Sequence, residues 1–422
     1  MSDPTQDQGA LHRWLWRWHG YAGLFVIPFI LFMSLTGIPY VWEHELEDWL
    51  YPEYRALSPG SARVSYAQQL ATARAACPEK PLGFVKVDGD PRHATHFWFG
   101  EWSAPTSVLV NPYDGSVITK MSEWRRLSSA AIILHGLAFM EPYGSWLLEL
   151  LACWGIVLCL TGVYLWWPRG RKWSVWGVFL PRLRGDDRTR WRDLHAVGGF
   201  YFSAVLALYL ATGLPWTAFW GGTLLTGIQE RTGQAYPHCM TGDSGLSCTP
   251  PHVGAQMLPL DAFVEFGLSQ QLPGHLEIEL PDTPGGSVHV RNRSNATLRE
   301  AHFQLDPYTA RPISGADWDT LPLSQKAVAL GIDMHEGTLL GRANQIISTL
   351  LAGLFVLLSG AGAMMWWKRR PRNQLDWPKI VPRIRLPRAV AVATVILGVL
   401  MPLFGLTVLV VMALDRIRQP TI

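Results

Sequence analysis

The sequence predicts an α-helical integral membrane protein built from duplicated two-span units plus a fifth span, with two small external α+β modules. Three observations carry that prediction. Five uncharged or nearly uncharged stretches are long enough to cross a ~30 Å hydrocarbon core, which takes roughly 20 helical residues. Two pairs of these stretches align with each other without gaps. The basic residues collect in alternate loops, as membrane orientation requires.

Taken in order, residues 1–18 form a cytoplasmic N-terminus carrying Arg13 and Arg17, and 19–42 form the first span. That span has basic flanks like a secretory signal, but it is longer than a usual signal core and lacks a clear cleavage site. Residues 43–142 are a first external module and 143–167 the second span, interrupted only by Glu149. Residues 168–194 form a loop with eight basic residues against three acidic ones, so it is cytoplasmic. The third span is 195–220, the second external module 221–342 and the fourth span 343–367. A second basic loop, 368–388, leads to the fifth span at 389–414 and an external C-terminus at 415–422. Trp14, Trp16, Trp18, Trp166, Trp167, Trp366 and Trp367 stand where an interfacial aromatic belt belongs. The net charge of +3 is thus a topology signal, and no nucleic-acid partner is expected. The lipid bilayer is the partner that composition implies.

The repeat is visible residue by residue. "HGYAGLFVIPFILFMSLTG" at 19–37 matches "HAVGGFYFSAVLALYLATG" at 195–213 after a shift of 176. A shift of 200 aligns the second and fourth spans, and His135 and His335 each precede a Trp-Trp pair by 31 residues. Each external module reads as a helix followed by antiparallel strands around an N/D-P-Y turn, in "LVNPYDGSVI" and "FQLDPYTARPI".

Of the 13 histidines, these shifts match only His19 with His195 and His135 with His335 in the membrane-proximal regions. His12 maps onto Arg188 and His44 onto Trp220, while the histidines of the external modules show no matched pair. His19 and His195 open their spans near the inner face; His135 and His335 precede theirs near the outer face. Thr36 is 17 residues beyond His19, roughly 26 Å along a helix. Paired imidazoles from facing helices suit an axially ligated haem iron, so the expectation is two haems. No C-x-x-C-H occurs, so they would be non-covalent haem b. Gly20, Gly23, Gly198 and Gly199 would leave room for a flat macrocycle, and Arg13, Arg17, Arg190 and Arg192 would face its propionates. A single such His is ordinarily a helix-end residue and such glycines ordinarily serve helix packing; it is the matching of four that argues for ligation. A zinc or copper site is disfavoured, because no carboxylate or Cys accompanies each pair. Cys153 and Cys159 read as apolar filler, Cys77 has no evident partner, and Cys239 with Cys248 is a candidate external disulfide.

The stretches "WHGYAGLF", "LTGIPYVW", "LHGLAF", "LHAVGGFYF" and "WWKRRP" resemble the PepSY-associated transmembrane family, and the resemblance covers nearly the whole chain. It is nearest to the iron-regulated membrane proteins and inner-membrane ferric-siderophore reductases of that family. The resemblance implies PepSY-like external modules, a bacterial inner-membrane location and two b-type haems on His19, His135, His195 and His335. It further implies reduction of ferric siderophore, with iron release, on the outer side. Unlike some relatives, this chain carries no fused reductase domain, and it has no dinucleotide or Walker motif. The electron donor would then be a separate flavin reductase, reduced flavin or quinol. The alternatives are a PepSY-domain anchor or regulator, which gives no reason for four matched histidines, and a transporter. Against a coupled carrier, both halves have the same orientation and the spans lack the mid-depth carboxylates it needs, Glu149 near the outer end being the one candidate.

Overall fold

The computed structural model describes residues 4–168, 174–235, 256–281, 286–294, 300–369 and 387–417. The chain divides into two compact units, one of helices and one containing the sheet.

The helical unit comprises Met1–Leu35, Pro142–Leu225 and Thr349–Ile422. Four helices among the described residues are long and apolar enough to cross a membrane. They lie within α1 (Pro4–Val41), α6 (Tyr143–Trp166), α7 (Asp187–Gly213, with its short 3-10 continuation) and α11 (Arg342–Arg369). Helix α7 starts where Asp186 accepts the Thr189 amide at 2.7 Å, a side-chain N-cap. It ends at Gly213, earlier than the predicted 220. Pro215 lacks the N–H that would continue the helix, and a 3-10 turn (Leu214–Trp216) and a π-helical turn (Trp220–Leu225) follow.

The predicted fifth span is not one helix. Residues Arg388–Leu400 and Pro402–Ile417 form separate helices, broken at Met401, where Pro402 cannot donate to the preceding turn. The two fold back on each other so closely that a Cβ on Gly405 would lie 2.8 Å from the Gly398 carbonyl oxygen. Their apex is anchored. Met401 and Phe404 pack with Cys153 and Leu214, Trp220 Nε1 donates to the Leu400 carbonyl at 2.9 Å, and Trp154 Nε1 donates to Thr407 at 3.2 Å. The Trp220 bond supplies a donor to a carbonyl that the helix end leaves over, which matters most where no water can reach it.

The second unit comprises Thr36–Glu141 and Thr226–Ser348. Its first half runs through α2 (Glu43–Leu50), α3 (Pro52–Arg55), α4 (Tyr66–Ala76), β1 (Leu82–Asp88), β2 (Thr95–Phe99), β3 (Thr106–Val110), β4 (Val117–Ser122) and α5 (Leu127–His135). The second half follows with α8 (Thr226–Arg231), α9 (Leu260–Ser269), β5 (His275–Glu279), β6 (Val288–Arg293), β7 (Ala301–Leu305), β8 (Pro312–Asp317) and α10 (Leu323–Glu336). The expected helix and strands are present in each half, yet the two sheets are joined. All eight strands form one antiparallel sheet in the order β4-β3-β2-β1-β5-β6-β7-β8. The joint is the ladder Val85↔Ile278, Lys86↔Glu277, Val87↔Leu276 and Asp88↔His275.

Strand alternation assigns the two faces. Val85, Val87, Phe97, Val108, Leu276, Ile278, Val288 and Val290 point to one side, where Leu70 and Ala73 of α4 and Phe263 and Val264 of α9 close a dry core. Asp261 at the start of α9 accepts the Tyr66 and Ala67 amides, both at 2.8 Å, and so ties the two covering helices together. The N/D-P-Y turns repeat in detail. Asn111 accepts the Tyr113 amide at 2.9 Å and Asp306 accepts the Tyr308 amide at 2.7 Å. Both turns close with a left-handed residue, Gly115 at φ 73° and Ala310 at φ 53°.

Candidate functional site

His19 on α1 and His195 on α7 come together in the helical unit, with ring centroids 6.2 Å apart and planes at 79°. His135 at the end of α5 and His335 near the end of α10 come together in the sheet-containing unit, again 6.2 Å apart, at 65°. The pairing inferred from the shifts is thus the pairing observed. A metal held between two imidazoles at about 2.0 Å per bond sets the centroids roughly 6.3 Å apart, so both pairs have the spacing that bis-imidazole ligation requires.

The hydrogen bonds around the His19–His195 pair also favour ligation. His195 Nδ1 lies 2.8 Å from the Leu358 carbonyl. A carbonyl only accepts, so Nδ1 carries the proton and Nε2 keeps its lone pair. His19 Nδ1 lies 2.9 Å from Thr161 Oγ1. The Thr161 hydroxyl itself donates to the Val157 carbonyl at 2.8 Å, which leaves its oxygen to accept from His19. Both imidazoles are therefore held in the tautomer whose Nε2 can bind a metal. In the His135–His335 pair, His135 Nδ1 lies 3.2 Å from Thr36 Oγ1.

Glycine makes the close approaches possible. A Cβ at Gly162 would come within 3.4 Å of His19 Cε1, one at Gly362 within 3.3 Å of His195 Cε1, and one at Gly37 within 3.1 Å of His135 Cε1. Gly162 and Gly362 are counterparts under the shift of 200. The glycines expected to clear room beside His19 and His195 divide: Gly20, Gly23 and Gly199 have nothing within 4 Å of a Cβ position, whereas Gly198 faces Leu358 at 3.1 Å. The donor set and the ring spacing fit a haem held between paired imidazoles.

The four arginines are placed less uniformly. Arg13 is exposed. Arg17 donates to Tyr21 Oη at 3.1 Å and lies over its ring. Arg190 pairs with Asp187, and Arg192 pairs with Asp193, a fully buried carboxylate that also binds Arg182 at 2.7 Å. Arg190 and Arg192 therefore already have carboxylate partners. Glu149, in the second turn of α6 rather than at mid-span, is fully buried. It accepts the Phe219 and Trp220 amides at 3.2 and 2.9 Å, capping the π-helical turn. Cys153 and Cys159 are free thiols, and Cys153 is wholly buried in the apolar cluster at Leu214 and Met401. Cys239 and Cys248 lie outside the described residues.

Sequence reasoning passed over a polar cavity of about 190 Å³ on the open face of the sheet. Lys86, His96, His275 and Glu277 line it from the central strands, Ser129 and Ile132 from α5, and Asp333 and Glu336 from α10. These two helices are the ones that carry His135 and His335. A cross-strand row, His96–Lys86–Glu277–Arg291, runs along the cavity floor. Glu277 holds Arg291 at 2.7 Å and His275 at 3.3 Å. Burial pushes Glu277 up, but His275, Arg291 and Arg293 together outweigh it and hold its carboxyl well below the usual range. Burial lowers all three imidazoles of the cavity, with His275 down to about 4, so they are neutral near pH 7. Glu300 is pushed up to about 7, first by burial, against the pull of Arg293 and with Asp333 and Glu336 adding to the rise. The signal that could have found this cavity is the alternation in "FVKVD", "HFWF" and "HLEIE", whose second face is polar or aromatic.

Comparison with known proteins places these features in a family. The family described as PepSY-associated TM region matches residues 16–369, and the chain belongs to it. No curated protein matches the chain.

Proposed function

Starting from a multi-pass membrane protein of the PepSY-associated group, we propose that the chain is a two-haem electron conduit of the bacterial inner membrane. It takes electrons on the cytoplasmic side and reduces ferric siderophore on the outer side. The observation that supports this most is the pair of His–His contacts at the same 6.2 Å spacing, formed by the four histidines that the repeat matches. His19 and His195 would hold one b-type haem, and His135 and His335 the other. Bound there, haem supplies reversible one-electron chemistry. Thr161 and the Leu358 carbonyl fix the orientation and tautomer of the inner imidazoles. Gly162, Gly362 and Gly37 let neighbouring helices seat the rings. The basic inner loops set the N-terminus in the cytoplasm, and the donor is a separate flavin reductase, reduced flavin or quinol.

The test is spectroscopic. Protein from haem-replete cells should show a low-spin b-type reduced-minus-oxidised spectrum with two extractable haems per chain. His19→Ala or His195→Ala should remove one and leave the other, whereas His12→Ala and His44→Ala should leave both. A colourless preparation sinks the proposal. In sealed vesicles with reductant on the cytoplasmic side, His335→Ala should stop acceptor reduction on the opposite side while the remaining haem still becomes reduced.

A further inference from the structure

The cavity on the open sheet face has a chemistry that the conduit reading leaves unassigned. Five carboxylates and three cationic side chains line it. Two of the cations are engaged by carboxylates. Arg126 is held between Glu47 and Glu123, both buried behind the wall, and Arg293 sits 3.6 Å from Glu336. Glu277 is matched by Arg291. Lys86 stands against Glu43, whose carboxyl is raised by burial but lowered further by Lys86, His44 and Arg126, so it stays ionised. Glu300 then adds negative charge as it ionises, and the neutral imidazoles of His44, His96 and His275 add no positive charge. The space is therefore electronegative.

One wall is aromatic. Phe84 stacks on Trp98 at 5.2 Å, and Trp98 meets Trp102 at 4.9 Å, with Trp102 itself 52% exposed at the rim. Such a shelf accepts aliphatic chain and attracts cations through the ring faces. At about 190 Å³ the cavity is smaller than a pocket for a whole drug-sized ligand, which is roughly 300–1,000 Å³. It takes one arm of a larger molecule.

We infer that this cavity seats the ferric chelate, and that it selects chelates of neutral or positive net charge over polyanionic ones. The inference rests on the conduit reading above, because it takes the acceptor to dock beside the helices that carry His135 and His335. The preference follows from charge. A polyanion entering a poorly solvated space of its own sign meets repulsion that water does not screen, whereas a cationic arm meets Glu300 and the Trp102 face. The same electrostatics treat product differently from substrate. One electron converts Fe(III) to Fe(II) and lowers the charge of the complex by one, so a cationic chelate becomes neutral and is held less tightly.

Gallium(III) complexes test binding apart from electron transfer, since gallium is not reduced under these conditions. Isothermal titration of the full-length protein should show an amine-bearing gallium trihydroxamate, of charge +1, binding at least on the order of tenfold tighter than a gallium tris-catecholate, of charge −3. Glu300→Lys should narrow or invert that ratio, and Trp102→Ala should weaken both. Equal affinities, tighter binding of the trianion, or a ratio unchanged in both variants overturns the inference. Charge-selective binding without reduction of the matching ferric complex supports the cavity assignment and removes the conduit. Reduction of ferric chelates with selectivity indifferent to Glu300→Lys removes the cavity assignment and leaves the conduit standing.

Discussion

Replacing Glu300 by Gln removes one buried ionisation and should change how stability depends on pH. The carboxyl rises from 4.5 to about 7 on folding. Below pH 4.5 it is neutral in both folded and unfolded chains and the substitution is silent. Between pH 4.5 and 7 the unfolded chain releases this proton while the folded chain keeps it, so stability falls as pH rises through that window. Above pH 7 the penalty is complete. A rise of that size corresponds to roughly 3 kcal/mol at most, because Glu300 lies at the cavity wall rather than in the dry core. Gln cannot ionise and escapes the penalty. Thermal unfolding of wild type and Glu300→Gln from pH 4 to pH 8 should give coincident midpoints at pH 4. At pH 8 the variant should melt higher, by on the order of 5 °C or more. Equal midpoints at pH 8, or a gap that is the same at both pH values, would refute the assignment of a carboxyl raised by burial. The groups facing it are Arg293, Asp333 and Glu336. In a background that already lacks Arg293, the same Glu300→Gln substitution should open a larger pH 8 gap, since that guanidinium favours the ionised form.

Three further outcomes follow from the geometry. Glu149→Ala should destabilise the helical unit by about 1–3 kcal/mol per amide left without an acceptor, read by denaturant unfolding in micelles, whereas Glu149→Gln, which keeps a carbonyl oxygen, should stay near wild type; equal effects would show that the carboxylate is not the cap. Gly115→Ala should cost about 1 kcal/mol and Ala310→Gly should be neutral or stabilising, because both positions are left-handed and only one has the residue suited to it, and thermal midpoints will show whether the two differ in sign. A hairpin of α12 (Arg388–Leu400) and α13 (Pro402–Ile417) that dips into the membrane would return the chain to the side it entered from, in place of the crossing fifth span and external C-terminus that the sequence predicts. A reporter fused after residue 422 should therefore lie on the same face as the loop at 370–386, and labelling from the opposite face would contradict the hairpin.

Much of this was legible in the sequence for a simple reason: hydropathy and repetition are properties of composition along a line. Twenty apolar residues mark a span whatever they pack against, and a shift of 176 or 200 isolates His19, His195, His135 and His335 without coordinates. The N-P-Y and D-P-Y turns were legible because an Asx side chain bonding its own backbone is local chemistry. Breaks were harder to see. Pro402 and the glycines at 398 and 405 sit in an apolar run that a window average reads as continuous, and Pro215 shortens α7 in the same way. The cavity was hidden by the very filter that found the histidine pairs. His44, His96 and His275 are not counterparts under either shift, so a search for repeated residues discards them. His96 and His275 line one cavity only because β1 pairs with β5, and nothing local in "LGFVKVD" or "HLEIE" says which strand lies beside which.

That pairing has a consequence for the halves of the chain. Four strands ending at β1 would leave a row of bare N–H and C=O groups along the sheet's margin, and the same holds for four strands ending at β5. In the intact chain each margin closes the other, in an antiparallel ladder of the kind that two identical strands form about a twofold axis. A fragment holding only the first half would not be a smaller version of this protein. It would be a subunit seeking a mate, stable as a symmetric dimer or prone to stick, and the covalent link between halves makes that mate always present at high local concentration.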